Sequence, residues 1–257
     1  MVRQFTSRRY ALLLLIPLSS APAFADDPPA PTGPALSGNV SIVSDYLFRG
    51  LSQTSQDPAL QAGVEYGSSD SWYVGAWATN VSWLSDLSSP PDASISNSLE
   101  IDVYAGWRIP LSETWKLDLG LYSYYYPGDY PYGFTRPYTT EAYVGISWTF
   151  ITLKYSYAFT NAFGFADSKD SDYLDLSANW EFSPSWVLNA HVGHQRIDNF
   201  NAADYTDWKL GITKNFSNGV AIALGYYDTN ADKAVYTNPS GEFLGRSTGV
   251  LSVTKTF

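Results

Sequence analysis

The sequence predicts an all-β fold, a single antiparallel up-and-down transmembrane β-barrel of about 12 strands. Apolar and polar residues alternate in segments of about ten residues, short and long connections take turns between the segments, and most tryptophans lie beside the short connections. A tilted strand of about 9–11 residues crosses a membrane, and membrane barrels alternate apolar residues facing lipid with polar residues facing inward.

The amino-terminal residues 1–25 have the features of an export signal. Arg3, Arg8 and Arg9 precede a short apolar run, and Ala23-Phe24-Ala25 fits a small-residue cleavage site. Removal after Ala25 would change the net charge from −10 to −13. The Pro-rich segment 26–37 is expected to be an extended periplasmic lead-in, and residues 38–257 are expected to form the barrel.

Composition excludes several classes of protein. The chain has no Cys, which excludes disulfides, thiolate metal sites and a lipid-modified cysteine anchor. The acidic balance argues against nucleic acid as a partner. After the export signal no stretch offers about 18 consecutive apolar residues, which excludes a helical membrane protein. A secreted soluble protein or an outer-membrane barrel remains.

Twelve segments have the period of a strand. In the fourth, Leu99, Val103 and Trp107 share one face, whereas Glu100 and Asp102 share the other. A soluble β-sandwich would also alternate, so the pattern alone does not decide. The expected strands are 38–49, 58–67, 71–82, 98–109, 114–126, 139–149, 151–160, 172–182, 185–195, 205–216, 219–228 and 246–257.

The connections between these segments alternate strictly in length. An up-and-down membrane barrel has short periplasmic turns and longer outer loops, so this alternation favours a membrane barrel with both ends of the chain on the periplasmic side. The short connections lie near 67–70, 110–113, 150, 183–184 and 217–218, and the longer ones near 50–57, 83–97, 127–138, 161–171, 196–204 and 229–245.

The aromatic residues indicate two girdles at the membrane surfaces. Six of the nine tryptophans flank the short connections on the apolar parity, where an amphipathic ring prefers the headgroup level; they are Trp72, Trp107, Trp115, Trp148, Trp180 and Trp186. The expected second girdle contains Phe48, Tyr125, Tyr157, Phe159 and Tyr226.

The final segment is expected to close the barrel by pairing with the first, which would leave no open edge in the membrane. Phe257 at its end is interpreted as an assembly signal and interface anchor. The expected location is the outer membrane of a Gram-negative bacterium, with outer-membrane lipid, lipopolysaccharide and the barrel-assembly machinery as partners.

Four stretches resemble the porin family called TorF. The most specific is Ser44–Thr54 (SDYLFRGLSQT), and the others are Trp72–Ala78, Leu99–Gly106 and Tyr124–Gly128. The resemblance lies in the amino-terminal half, and the strand and loop pattern extends it to the end. It implies an outer-membrane barrel with channel activity, and it supplies no substrate. The predicted function is a porin-like channel for the passive diffusion of small polar solutes or ions.

The polar parity predicts which residues line a pore. If the apolar parity faces lipid, nine acidic and five basic side chains face inward, which predicts a weak preference for cations. Acids and bases on adjacent strands could instead pair and fill a narrow lumen. The candidates are Asp45, Arg49, Glu65, Glu100, Asp102, Arg108, Lys116, Asp118, Glu141, Lys154, Asp175, Glu181, Asp207 and Lys209.

Asp45 and Arg49 are expected on the same face of the first strand, four residues apart. One interpretation is a gate or constriction near the outer end. The other is a strand-end network that anchors the first loop through Gly50 and Gln53.

The outer loops are rich in aromatic residues, which allow two interpretations. These rings could stack on sugars or capture apolar solutes, or they could pack on each other. They include Tyr130, Tyr132, Phe134, Phe163 and Phe165.

Two alternatives to a channel are a non-conducting structural or adhesion barrel and an outer-membrane lipid hydrolase. A hydrolase needs a nucleophile beside a base. His191 and His194, the two histidines, are three residues apart on a strand and face opposite sides, and no Gly-x-Ser-x-Gly motif is present. The sequence therefore predicts no enzyme, catalytic residue, cofactor or metal.

Overall fold

The computed structural model describes residues 34–88 and 94–257. Twelve antiparallel strands form a closed barrel, which confirms the predicted fold. Two further two-residue strands, β2 and β3, lie between the first and second barrel strands. The strands are β1 (Ala35–Val43), β2 (Leu47–Phe48), β3 (Leu51–Ser52), β4 (Ala59–Gly67), β5 (Trp72–Asn80), β6 (Leu99–Pro110), β7 (Trp115–Tyr125), β8 (Thr139–Trp148), β9 (Ile151–Ala158), β10 (Asp172–Ser183), β11 (Trp186–Arg196), β12 (Tyr205–Asn215), β13 (Val220–Thr229) and β14 (Thr248–Thr256).

The barrel closes between β1 and β14. Their register runs from Asn39 opposite Thr256 to Val43 opposite Ser252. Beyond the strand, the Phe257 N–H donates to the Gly38 carbonyl at 3.0 Å, and the Gly38 N–H donates to the Phe257 carbonyl at 2.9 Å. The closing partner of the final strand is therefore as predicted, and closure satisfies the backbone groups that lipid cannot. The role of Phe257 as an assembly signal stays a prediction.

The two faces of each strand differ in the way that the alternation predicts. On β6, Val103 and Trp107 point outward with 53% and 52% of their surface exposed, whereas Glu100 and Asp102 point into the lumen with 1% and 2% exposed. A soluble protein would bury the first pair and expose the second. The inverted arrangement suits a barrel whose outer surface contacts lipid.

The ring of tryptophans forms at the end with the short turns, as predicted. Trp72 lies directly opposite Trp107, and Trp115 lies opposite Trp148 with their ring centroids 6.2 Å apart. All six tryptophans are exposed on the outer face. At the other end Tyr125, Tyr157, Phe159 and Tyr226 are also exposed, which matches four of the five residues of the predicted second girdle.

Long loops at the outer end cover the lumen. Their described parts span residues 44–58, 81–88, 94–98, 126–138, 159–171, 197–204 and 230–247, and these parts contain two 3-10 turns (Ser85–Leu87 and Asn201–Ala203) and a short helix, α1 (Lys233–Tyr236). Asp232 caps α1 by accepting a hydrogen bond from the Ala234 N–H at 2.8 Å. Among the described residues, no helix has the length and apolar composition needed to cross a membrane.

The first predicted strand is wrong at both ends. β1 begins at Ala35, within the expected lead-in, and stops at Val43 instead of continuing to residue 49. The chain then turns into the lumen, so Phe48 packs inside against Tyr124 and Phe163 and does not belong to the outer girdle. The predicted export signal and its cleavage after Ala25 lie outside the described residues.

Candidate functional site in the barrel lumen

A tight hairpin, formed by β2, β3 and the turn between them, enters the outer end of the lumen. Phe48 pairs with Leu51 across a two-residue turn of Arg49 and Gly50. Both turn residues have positive φ, 48° and 78°, which is the type I′ geometry that matches the twist of a hairpin. A Cβ at residue 50 would lie 2.5 Å from the Asp207 Cβ, so the tip fits against the far wall only with glycine there.

Arg49 attaches this hairpin to the opposite wall of the barrel. Its Nη2 donates to Glu141 Oε2 on β8 and its Nη1 donates to Gln195 Oε1 on β11, both at 2.7 Å. The guanidinium also lies 4.3 Å from the ring centroid of Tyr173 on β10. Only 7% of the Arg49 side chain and 3% of the Glu141 side chain are exposed. One loop residue therefore bridges three wall strands across the lumen.

Asp45 holds the base of the hairpin together. Its Oδ1 accepts hydrogen bonds from Ser52 Oγ at 2.6 Å and from Thr54 Oγ1 at 3.3 Å. Burial raises the pKa of the Asp45 carboxyl, while the hydrogen bonds from Ser52 and Thr54 oppose the rise. Since β1 ends at Val43, the expectation that Asp45 and Arg49 share a strand face is wrong. Asp45 contacts the loop itself, whereas Arg49 contacts the far wall.

His191 lies next to the hairpin tip between two carboxylates. Its Nε2 is 2.6 Å from Asp207 Oδ2, and its Nδ1 forms an ion pair with Asp175. Tyr173 Oη also donates to Asp207 Oδ1 at 2.9 Å. We call this set the outer cluster; it contains Arg49, Glu141, Tyr173, Asp175, His191, Gln195 and Asp207.

The inner cluster lies nearer the short turns and contains only wall residues. Arg108 on β6 donates through both Nη atoms to the two carboxylate oxygens of Glu65 on β4, at 2.8 and 3.0 Å, with the intervening Tyr73 ring 3.7 Å from its guanidinium carbon. Tyr73 Oη donates to Asp118 Oδ1 at 2.8 Å and is hydrogen-bonded to the Tyr143 hydroxyl. This cluster joins strands β4 to β8 across their inner faces.

Two acids on β6 have no basic partner. Glu100 Oε1 accepts from the Tyr46 hydroxyl at 3.4 Å, and Asp102 Oδ2 accepts from the Tyr122 hydroxyl at 2.7 Å. Their other carboxylate oxygens are buried with no hydrogen-bond partner in the described part of the chain. Neither acid forms a salt bridge there. A cation or a proton would offset the cost of burying this negative charge.

The other predicted lumen residues form no salt bridge with the two clusters. Lys154 Nζ is 4.1 Å from the ring centroid of Tyr143, and Lys209 Nζ is 5.4 Å from that of Tyr227; both lysines line the cavity around Arg49 and His191. Lys116 Nζ binds Asp70 in a short turn at 2.9 Å. Glu181 is exposed at the inner end and accepts from the Ser185 N–H at 3.0 Å.

Sequence reasoning missed most of the residues that complete the clusters. Tyr73, Tyr143, Tyr173 and Gln195 all lie on the inward parity, and the alternation could have shown this. The tyrosines cross over glycines of the neighbouring strands, and a Cβ at Gly106 or Gly193 would collide with the hydroxyl of Tyr73 or Tyr173. Glycine opposite an inward tyrosine is the signal that could have revealed this filling.

The structure places the two histidines of the hydrolase alternative on opposite faces, as expected. His191 faces inward, between Asp175 and Asp207, and His194 is exposed. Within the described residues, no group of three or more His, Asp or Glu side chains has the arrangement to hold a metal ion.

Solved structures similar to this chain are outer-membrane barrels. The KdgM porin has a TM-score of 0.56 at 6% identity, covering 86% of this chain and 99% of its own. The KdgM porin in complex with disordered oligogalacturonate gives 0.53 at 6%, covering 86% and 98%. The COG4313 outer membrane channel from Pseudomonas putida F1 gives 0.51 at 13%, covering 90% and 100%. At these identities the likeness shows the fold alone.

Comparison by sequence identifies the family of the chain, and the description of that family does not name a porin. No curated protein matches the chain. The name TorF does not appear in the description of the matching family. Residues 28–257 match the model of the family described as "Bacterial protein of unknown function (Gcw_chp)", and the chain belongs to that family.

Proposed function

We propose that the protein is an outer-membrane channel for small polar solutes or ions, with a weak cation preference, in which the inward hairpin forms the constriction. The observation that carries the proposal is the bridge from Arg49 to Glu141 and Gln195 across the lumen. A barrel that serves only as a scaffold has no need to hold a loop residue against its far wall. The similarity of the fold to porins supports the same function.

The charges of the lumen support the cation preference. Glu65 and Glu141 are neutralised by arginines, and Asp175 and Asp207 share one histidine. Four further inward acids form no salt bridge within the described ranges; they are Asp45, Glu100, Asp102 and Asp118. Rings of acidic side chains favour cations in a pore. The oligogalacturonate of the KdgM complex is an acidic sugar, so we do not transfer it to this acidic lumen.

The competing proposal is a non-conducting barrel. It is favoured by the tyrosine rings that fill part of the lumen and are at least nine-tenths buried there; these are Tyr73, Tyr104, Tyr122 and Tyr143.

Two measurements distinguish the proposals. Liposomes containing the protein should swell in small sugars or amino acids, and the reversal potential across a salt gradient in a planar bilayer should show cations as the main carriers. A current carried mainly by anions would overturn the cation preference, and the absence of both swelling and current would favour the structural barrel.

A further inference from the structure

All six outer loops converge on one cavity at the mouth of the barrel, outside the charged lumen. Its volume is about 280 Å³, and each loop contributes at least one lining residue. One such residue from each loop, in chain order, is Leu51, Trp83, Phe134, Phe163, Ile197 and Tyr236. Loops that only covered the lumen would have no need to leave a shared space of this size.

The lining of the cavity is mainly aromatic and aliphatic. Seven of the lining residues carry an aromatic ring, and neighbouring rings meet edge to face, as in Phe48 with Phe163 at 5.2 Å and Tyr205 with Tyr236 at 5.3 Å between centroids. Apolar cavities of about 150 Å³ stay dry and bind benzene, so this cavity has room for one substituted ring. Aromatic walls favour a flat ring because they contact it by face and edge.

Most polar groups in the lining already have partners. Gln195 accepts from Arg49 and donates to the Asp172 carbonyl, and the Tyr236 hydroxyl donates to the Ala203 carbonyl at 2.6 Å. The Trp83 indole Nε1–H is buried away from the cavity surface, with no acceptor among the described residues. The lining therefore offers a ligand mainly apolar contacts.

The cavity is separate from the charged part of the lumen. A second cavity of about 50 Å³ lies around Arg49, His191 and Asp207, and Phe48 lines both. The hairpin therefore lies between an apolar compartment outside and the outer cluster inside.

We propose that the mouth of the barrel binds an uncharged molecule with one aromatic ring, held by the aromatic and aliphatic walls of this cavity. This goes beyond channel activity, because the site is complete without any passage through the lumen. Its test is an equilibrium binding measurement, so its failure is distinguishable from an absence of conductance.

The test uses fluorine NMR on the full-length barrel in phosphatidylcholine nanodiscs. The probe is 1-ethyl-4-fluorobenzene, an uncharged molecule with one aromatic ring. We expect saturable binding to the wild-type protein, beyond the partitioning seen in protein-free nanodiscs.

Two tryptophan variants provide the matched comparison. Val235→Trp places a large ring in the cavity and should abolish saturable binding, whereas Val192→Trp makes the same change on the exposed outer face of β11 and should bind like the wild type. Equal signals from wild type, Val235→Trp and protein-free nanodiscs would mean partitioning into lipid and would overturn the proposal. Saturable binding of 12-fluorododecan-1-ol with none of the ring probe would also overturn it, since the cavity would then take acyl chains.

Discussion

Two arginines in this barrel form ion pairs that are buried to a similar extent, but one arginine lies in the wall and the other lies in a loop. The Arg49 and Glu141 side chains are 7% and 3% exposed, and those of Arg108 and Glu65 are 3% and 7% exposed. Arg108 joins two strands of the wall, whereas Arg49 joins a loop to the wall. The difference teaches that equal burial does not mean equal function. One pair joins strands of the barrel wall, and in our proposal the other holds the constriction, which its loss would release.

The largest effect is expected from Arg108→Ala. It leaves the buried Glu65 charge unpaired and removes the stacking on Tyr73, so the free energy of unfolding should fall by about 3–5 kcal/mol. Urea unfolding in lipid vesicles, followed by tryptophan fluorescence, measures the loss. If Arg49→Ala lowers the stability of the barrel as much as Arg108→Ala does, the distinction between the two pairs is wrong.

Arg49→Ala should instead release the hairpin. The change removes two hydrogen bonds to a charged group, each worth about 1.5–3 kcal/mol, so backbone amides of residues 44–58 should exchange with solvent at least about tenfold faster. Hydrogen–deuterium exchange of the reconstituted barrel measures this. Arg108→Ala is the control and should leave exchange in this loop unchanged. Equal exchange in wild type and Arg49→Ala would mean that the hairpin stays in place without its tether.

A third prediction tests whether Glu141 acts through Arg49. Glu141→Gln keeps the shape of the side chain and removes its charge, so it should loosen the hairpin less than Arg49→Ala does. Combining Glu141→Gln with Arg49→Ala should add little to Arg49→Ala alone, because residues that form one contact are not additive. Exchange rates from the single and double variants give the coupling, and Glu65→Gln provides the matched control on the other pair. Fully additive effects would show that Glu141 and Arg49 act separately.

The smallest effect is expected from the acids without basic partners. Replacing Glu100 by Gln and Asp102 by Asn removes two negative charges from the lumen wall without touching either arginine pair. Cation preference should fall while conductance stays near the wild-type value. Reversal potentials in asymmetric salt measure the change. An unchanged reversal potential would place the path of ions away from β6.

The barrel itself was predictable because each of its strands alternates locally. On β6 the parity alone separates Val103 and Trp107 from Glu100 and Asp102, and the short turns locate the tryptophan ring. The charged residues of the lumen followed from the same parity. The face of the strand on which each of these residues lies could therefore be predicted without knowing its contacts with distant residues.

The hairpin was not predictable in this way. Phe48 keeps the outward parity of Val40 and Ile42 on β1, and Arg49-Gly50 is not among the residue pairs that best mark a type I′ turn. The inward fold depends on Glu141 and Gln195, which lie 92 and 146 residues away along the chain. Such a contact appears only when the wall is assembled, so the sequence of the loop alone does not reveal it.

Single-channel conductance of the wild type, Arg49→Ala and Arg108→Ala, recorded in the same planar bilayer, tests the central claim most directly. If the tethered hairpin is the constriction of a channel, Arg49→Ala should conduct several-fold more than the wild type, while Arg108→Ala that inserts should conduct like the wild type. Equal conductance of Arg49→Ala and wild type, or no current through any of the three, would contradict the account.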